Sequence, residues 1–386
     1  MPLPATTARA MAQDDTTHDS PFAVGWDHAH HGLTPPLERL CINPRLRHGF
    51  QAGRAAFGRR SLSASTPVRE WLALRLDALA AGCAFETVRL TPRYLAKLAV
   101  THCPITREPF ATAAAAADGW RVARVRRDAG YAAGNLARLG LRADAAQARL
   151  GSAKATELLC AGEAGANERH AGLTLAQARR LAVLRSLVQP LSHEAAMLPL
   201  LVLPPPGLLL FNPLQALQCC VTRAFGEATP NRRLAAVRGA LEDAASQGAF
   251  DAFVAAYHAA LAEAAPDRST PASRWALEDA WADGRVLGRW KRFARTLTAA
   301  RCEALLLRLA PQDMLQRPDA LATEGWALAS SGRAGPPRRL ASRLPAVSAA
   351  GQRPAPSSRP ESATAPALPP AGAMAGRLRQ RNLFTH

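Results

Sequence analysis

Side chains suited to hold a divalent metal ion or to activate water surround the segment ARVRRDAGYAAGNL, residues 123–136. Carboxylate and amide oxygens are ligands for Mg²⁺, and an imidazole accepts a proton from water near neutral pH. Together such groups would serve metal-assisted hydrolysis. The candidates in and around the segment are His102, Asp118, Asp128, Asn135 and Asp144.

The same segment indicates the elements that would position these groups. The basic run that opens it is strand-like, Gly130 and Tyr131 favour a tight turn, and Asn135 favours the start of a helix. The helix would continue toward Cys160, and its first N–H groups would face an anion. The pattern predicts a small strand, turn and helix unit within residues 102–150.

Two sequence blocks in this unit resemble the HNH (ββα-metal, His-Me finger) endonucleases, in the phage-type branch with the pattern C-P-(I/V)-T-G-x-P followed by D-R-I and G-Y-x-x-G-N. The resemblance implies a ββα fold, a divalent metal ion and cleavage of nucleic acid. It also implies a structural motif of five residues. These are Cys103, Gly130, Tyr131, Gly134 and Asn135; the wider matches are Pro104, Ile105, Thr106, Pro109, Arg124, Val125 and Leu136.

The chain departs from that pattern at the positions that carry the family's catalytic residues. Ala123 stands at the acidic ligand position, and Arg124 stands where the D-H-I form has its general-base histidine. A methyl group holds no Mg²⁺, and a guanidinium stays protonated. Asp144 and Gln147 replace the later Asn and Lys. No catalytic or metal-binding residue is therefore predicted with assurance; the weak candidates are Asp128, Asn135 and Asp144.

The net charge of +18 and the pI near 11.1 indicate a polyanionic partner, for which DNA or RNA is the leading hypothesis. Arginine suits bidentate contact with phosphate, although a charged face that is merely solvated is the alternative. Further basic helices are predicted at residues 44–60 and 284–296. The predicted nucleic-acid-binding residues are Arg121, Arg124, Arg126, Arg127, Arg138 and Arg142.

The remaining composition indicates a cytoplasmic protein without membrane contact. The seven cysteines are odd in number and form no C-x-x-C pair, which fits a reducing compartment. The first twenty residues lack a secretory pattern, and the apolar run 197–211 is interrupted by prolines. Three histidines and an aspartate cluster early in the chain, and we predict loop histidines without a metal. They are Asp27, His28, His30 and His31.

The sequence predicts an α+β protein that is predominantly α-helical. A helix is expected from Thr66 to Gly82 and a strand over 84–92, whereas residues from Pro21 onward are expected to form a loop and then a short helix. The predicted organisation is a disordered arm (1–20), a mixed domain with the HNH-like ββα unit (21–160), a linker (161–172), an all-α domain with a small apolar hairpin near 198–211 (173–329) and a disordered basic tail (330–386).

Three functional hypotheses follow. The first is a nucleic-acid-binding protein whose HNH-like module no longer cleaves and needs no cofactor. The second is an active endonuclease with a rebuilt site, which would require Mg²⁺ or another divalent metal. The third is a helical protein-interaction protein, whose partner the sequence does not indicate.

Overall fold

The computed structural model describes residues 20–110, 119–160, 169–227, 229–264 and 273–309. All of them belong to one unit that spans Met1–Pro336. Asp118, the predicted arm up to residue 19, linker residues 161–168 and the predicted tail lie outside the described residues. The described chain is mostly helical with a single two-stranded sheet, as expected for a predominantly α-helical protein.

The helices and strands fall into three groups along the chain. The first comprises α1 (Pro21–His30), α2 (Leu37–Ile42), α3 (Pro44–Phe57), α4 (Thr66–Ala81) and α5 (Pro92–Lys97). The second comprises β1 (Trp120–Arg124), β2 (Leu136–Gly140), α6 (Leu141–Arg149) and α7 (Ser152–Cys160). The third comprises α8 (Leu175–Leu187), α9 (Pro213–Phe225), α10 (Pro230–Gly239), α11 (Ala244–Ala264), α12 (Arg274–Asp279), a 3₁₀ turn (Ala280–Ala282), α13 (Gly284–Ala294) and α14 (Ala299–Leu309).

The segment from Pro21 to His30 is a helix, so the loop predicted there is wrong. Ser20 caps α1, because its hydroxyl accepts a hydrogen bond from the Ala23 N–H at 3.1 Å, and Pro21 follows at the first helical position. The predicted basic helix over residues 44–60 is confirmed as α3. Its N-cap is Asn43, whose side chain accepts from the Leu46 N–H at 3.1 Å.

Helix α4 lies between two hydrophobic clusters, which makes it the support for the site described below. It ends at Gly82 in the left-handed region (φ 58°), as the sequence predicts. Leu74 and Ala78 pack with β1, β2 and the segment near Phe85, whereas Leu76 packs against α1 and α3. The strand expected over 84–92 is wrong: among those residues only Phe85 forms a bridge, to Tyr131.

Strands β1 and β2 pair antiparallel, and α6 follows β2 directly. The segment after Asn135 is therefore a strand, and the helix expected to start there begins at Leu141 instead. The helix also does not continue unbroken toward Cys160, because α6 ends at Arg149 and α7 begins at Ser152.

Residues 198–211 contain no strand, so the predicted apolar hairpin is wrong. Prolines at 199 and 204–206 lack the N–H that a strand ladder requires. Leu200, Leu203, Leu208 and Leu210 are buried in the main core, and the N–H of Leu209 donates to the carbonyl of Gly134 at 3.0 Å. The segment thus packs against the loop that joins β1 and β2.

One core cluster includes residues on both sides of the linker predicted at 161–172. Ala137 and Leu139 of β2 belong to the same cluster as Leu181 and Leu184 of α8. The cluster also includes aromatic rings from α11 and the elements that follow it, which pack around Trp290 of α13. Within the described residues, no helix combines the length and the apolar character needed to cross a bilayer.

Candidate functional site

The loop between β1 and β2 is held together by the side chain of Asn135, which is fully buried. Its Oδ1 accepts from the Arg126 N–H at 2.8 Å, and its Nδ2 donates to the carbonyls of Arg126 at 3.0 Å and Gly130 at 2.9 Å. The amide satisfies the backbone of a loop that the strands leave unpaired. Asn135 therefore fixes the loop and has no oxygen directed toward a metal site.

Two side chains from the N-terminal elements hold the same loop from outside. The hydroxyl of Tyr94 accepts from the Gly134 N–H at 2.7 Å and donates to the Gly207 carbonyl at 2.9 Å. Burial raises the pKa of Tyr94 to about 12, so the phenol keeps its proton at neutral pH. Glu86 accepts from the Ala133 N–H at 2.9 Å. The loop is thus a fixed scaffold.

The two positions where the resemblance expects a metal ligand and a base are occupied by structural side chains. Ala123 is buried and pairs with Ala137 across the sheet. The guanidinium of Arg124 donates to the carbonyls of Arg127 at 3.0 Å and Ala129 at 2.9 Å. It also lies 4.7 Å from the centre of the Tyr131 ring. Arg124 therefore stabilises the loop by donating hydrogen bonds to two of its carbonyl groups.

Gln147 of α6, which stands at the family's lysine position, also binds this loop. Its Nε2 donates to the carbonyls of Arg124 and Val125, both at 2.7 Å, and the residue is buried. Cys103 contacts β2 from the other side, because its sulfur accepts from the Gly140 N–H at 3.4 Å. These contacts join the predicted motif residues into one folded unit without placing a reactive group in it.

A cleft of about 740 Å³ opens between α4 and β1. Sequence reasoning missed the side that α4 contributes, because nothing local in residues 66–77 indicates that they face a strand more than forty residues later. The cleft is lined by Thr66, Arg69, Glu70, Ala73, Leu74, Asp77, Trp120, Arg121, Val122, Ala123, Arg124, Arg127, Tyr131, Leu141 and Asp144.

Asp144 lies between two arginines of this cleft at distances that leave both loosely held. Nη1 of Arg121 is 3.4 Å from its Oδ2, and Nη1 of Arg127 is 3.7 Å from its Oδ1. Charge-assisted hydrogen bonds are shorter, roughly 2.7–2.9 Å. The side chain of Asp144 is 15% exposed, whereas those of Arg121 and Arg127 are 60% and 44% exposed. The two guanidinium groups are therefore accessible to a second anion.

The other predicted arginines are engaged more firmly. Arg138 pairs with Glu70 at 2.9 Å, and its guanidinium lies 4.2 Å from the centre of the Trp120 ring. Arg142 pairs with Glu108 at 2.8 Å on an exposed surface. Of the six predicted arginines, only Arg121 and Arg127 thus combine exposure with a loose partner in the cleft.

Arg126 pairs with Asp128 at 3.0 Å. Burial alone would raise the pKa of the Asp128 carboxyl, but hydrogen bonding and attraction by Arg126 outweigh it, so this pKa lies below its ordinary value. Asp128 therefore stays ionised and tied to its neighbour. It belongs to the loop and does not line the cleft.

The weak candidates for metal binding are not brought together. Asp128 and Asp144 are paired with arginines, and the Asn135 amide is used within the loop. His102 contacts Thr101 and the Trp275 ring, away from the cleft. Within the described ranges, no group of three His, Cys, Asp or Glu side chains is arranged to hold a metal ion. The donor set of these residues does not suit Mg²⁺.

The early histidine cluster lies on helix α1 and in the turn after it, so its predicted loop setting is wrong. His28 is buried, and its Nδ1 lies 2.8 Å from the Val24 carbonyl. The ring of His30 stacks on Phe57 at 4.4 Å. Asp27 instead pairs with Arg75 of α4 at 2.5 Å. These side chains serve the packing of α1 on its neighbours.

Comparisons of the chain with protein-family models, with curated proteins and with solved structures gave no match. The side chains that line the cleft are therefore the observation from which a function can be proposed. It offers guanidinium groups that bind oxyanions and an aromatic side chain, Trp120, but its carboxylates are occupied by arginines or line the α4 side. Arginine side chains of this kind suit oxyanions, and the carboxylates of Glu70 and Asp77 face the same cleft from α4.

Proposed function

We propose that this protein binds nucleic acid through the cleft between α4 and β1, and that its HNH-like ββα unit does not cleave the bound strand. The observation that carries the proposal is the pair of exposed guanidinium groups, Arg121 and Arg127, around a single carboxylate. They lie beside Ala123, where the resemblance expects the metal ligand. The net charge of +18 favours the same class of partner.

A phosphate group is the anion that best fits these two arginines. A guanidinium presents a planar set of N–H donors that matches two phosphate oxygens, and two such groups enclose one phosphodiester. The Asp144 carboxylate already lies between Arg121 and Arg127, so it shows where an anion is stable in the cleft. A phosphate would compete with Asp144 for both donors.

The proposed lack of cleavage follows from the residues at the positions of the family's metal ligand and general base. Ala123 offers no ligand atom, and Nη1 of Arg124 donates to two carbonyls of the loop. Hydrolysis of a phosphodiester by the family's route needs a metal ion to stabilise the leaving oxygen and a base to take a proton from water. At the two positions where the family keeps these roles, Ala123 and Arg124 supply neither.

The test measures binding of the full-length protein to a labelled duplex DNA and a labelled single strand over a series of salt concentrations. Arg121→Gln combined with Arg127→Gln should reduce the slope of log K against log salt by about 0.9 for duplex DNA, because the two arginines enclose one phosphodiester and each lost phosphate contact removes roughly 0.9. The matched control is Arg232→Gln with Arg308→Gln, which removes the same charge from exposed positions of α10 and α14.

Three results would overturn the proposal. Plasmid cleavage in Mg²⁺, Mn²⁺ or Ni²⁺ that disappears in Asp144→Ala would establish an active endonuclease. Lack of binding to any nucleic acid at low salt would leave the helical protein-interaction hypothesis. An equal reduction of the salt slope in the cleft and control variants would indicate general attraction by the net charge and no specific contact in the cleft.

A further inference from the structure

A second basic surface extends beyond the cleft, in a stretch of chain that contains no acidic residue. Between Glu38 and Glu70 the sequence has no Asp or Glu, but it has seven arginines. Among the described residues, none of these seven lies within ion-pair distance of a carboxylate. They are Arg39, Arg45, Arg47, Arg54, Arg59, Arg60 and Arg69.

Helix α3 lies at the centre of this stretch and is fixed on α1 by direct backbone contact. A methyl group added at Gly49 would overlap the carbonyl oxygen of Phe22, and one added at Gly25 would overlap the carbonyl oxygen of Leu46. At Gly53 it would come within 2.8 Å of the Ala29 methyl. The two helices therefore pack as closely as their backbones allow, and α3 presents its opposite face as a rigid surface.

That exposed face has small and polar residues along its middle and arginines along both sides. The buried positions of α3 are Leu46, Gly49, Phe50 and Gly53. At 100° per residue, Gln51 and Ala55 lie opposite them. Arg47 and Arg54 then fall along one side and Arg45 along the other; all three are exposed.

We propose that α3 binds in the major groove of duplex DNA, with Gln51 and Ala55 toward the base edges and the flanking arginines on phosphates of both strands. The major groove is about 12 Å wide and admits an α-helix, and a glutamine side chain can pair with adenine there. The inference rests on the proposed function for the class of partner but uses a different surface. Arg69, the last of the seven arginines, lines the cleft and so connects the two surfaces.

Duplex DNA fits this face better than a membrane or duplex RNA does. A helix that lies on a membrane carries large apolar residues such as Trp, Phe or Leu on the face that enters the lipid. The exposed positions of α3 carry none of these. The major groove of A-form RNA is too narrow and deep for side chains to read, so a helix of this kind has no site on duplex RNA.

The test compares binding of the full-length protein to duplex DNA, duplex RNA, single-stranded DNA and anionic phospholipid vesicles. Arg47→Gln with Arg54→Gln should reduce the salt slope for duplex DNA by about 1.8, as two lost phosphate contacts require. Ala55→Trp should weaken duplex binding about tenfold or more, because a large side chain in the middle of the face blocks the groove contact. Controls are Arg232→Gln with Arg308→Gln, and Ala236→Trp at an exposed position of α10.

The outcomes separate this inference from the proposed function. Unchanged duplex affinity in Ala55→Trp, or equal effects of the α3 and control variants, would overturn the groove contact. Binding to single strands or duplex RNA with no preference for duplex DNA would also overturn it, while the cleft proposal stands. Binding to vesicles in place of DNA would identify α3 as a membrane surface. Loss of duplex affinity in the α3 variants, with intact affinity in the cleft variants, would support α3 and overturn the cleft.

Discussion

Arg107 binds Asp279 through two hydrogen bonds, with Nη1 2.8 Å from Oδ2 and Nη2 2.7 Å from Oδ1, across 172 residues of sequence. Nη2 also lies 3.1 Å from Oε2 of Glu278, whose side chain is only 1% exposed. Arg107 adopts a left-handed backbone (φ 62°), and in the resembling pattern this position is glycine. A strained residue thus joins the segment before β1 to α12.

We expect Arg107→Ala to lower the free energy of unfolding by about 2–3 kcal/mol, because it leaves Glu278 buried with one partner fewer. Arg107→Gly loses the same contacts, but glycine adopts the left-handed backbone without strain. Its free energy of unfolding should therefore be about 1 kcal/mol higher than that of Arg107→Ala. Denaturant unfolding of both variants measures the difference. Equal stability of the two variants would contradict a strained backbone at this position.

Asp144→Asn should strengthen binding to nucleic acid, because it removes the carboxylate that competes for Arg121 and Arg127. The salt slope should become steeper by up to about 0.9, because the two released arginines enclose one phosphodiester. Asp251→Asn, which breaks an exposed pair with Arg238, is the matched control for the change in net charge. Weaker binding of Asp144→Asn would mean that the carboxylate orders the two arginines for their partner.

Gly49→Ala should destabilise the protein by about 1–3 kcal/mol or more, since its methyl group has no space against α1. Gly248 lies within α11, and a methyl group there would contact nothing within 4 Å. Gly248→Ala should therefore stabilise the protein by about 0.5–1 kcal/mol through higher helix propensity. Thermal or chemical unfolding of the two variants should give opposite signs.

Burial lowers the pKa of His28, partly offset by its hydrogen bond to the Val24 carbonyl. The unfolded chain then binds a proton more readily than the folded protein, so stability is complete above about pH 6.5 and decreases as the pH falls below it. The slope for this group should be at most about 1.4 kcal/mol per pH unit. His28→Gln should show a shallower decrease between pH 6.5 and 5 in urea unfolding; an unchanged profile would exclude His28 as its cause.

Helix ends were predictable from the sequence where capping residues and glycine stop signals surround an apolar pattern. Helix α4 ends at Gly82 as expected, and α8 begins after Thr174 with a capping box. Helix α1 was missed, although Ser20 and Pro21 form the same kind of start, because the histidine-rich composition that follows resembles a loop. The hairpin predicted over residues 198–211 is wrong for another reason. The leucines of this segment pack against the core and do not form paired strands.

The side chains that decide the site were harder to predict, because their partners are distant in sequence. No residue close to Arg138 in the sequence indicates that Arg138 pairs with Glu70. Likewise, no neighbouring residue indicates that Arg124 donates to a carbonyl of its own loop. The sequence distinguishes charged residues from apolar ones. It does not distinguish an arginine available to a ligand from one that is already bound.

The shared core also determines what can be studied in isolation. Ala137 and Leu139 face helices from the second half of the chain, and Gly134 binds Leu209 through its carbonyl. A polypeptide limited to residues 102–150 would expose these apolar side chains to solvent and leave that carbonyl to water. Expression of residues 102–150 alone should therefore yield an aggregating or unstructured product, whereas the full-length protein should give dispersed NMR spectra.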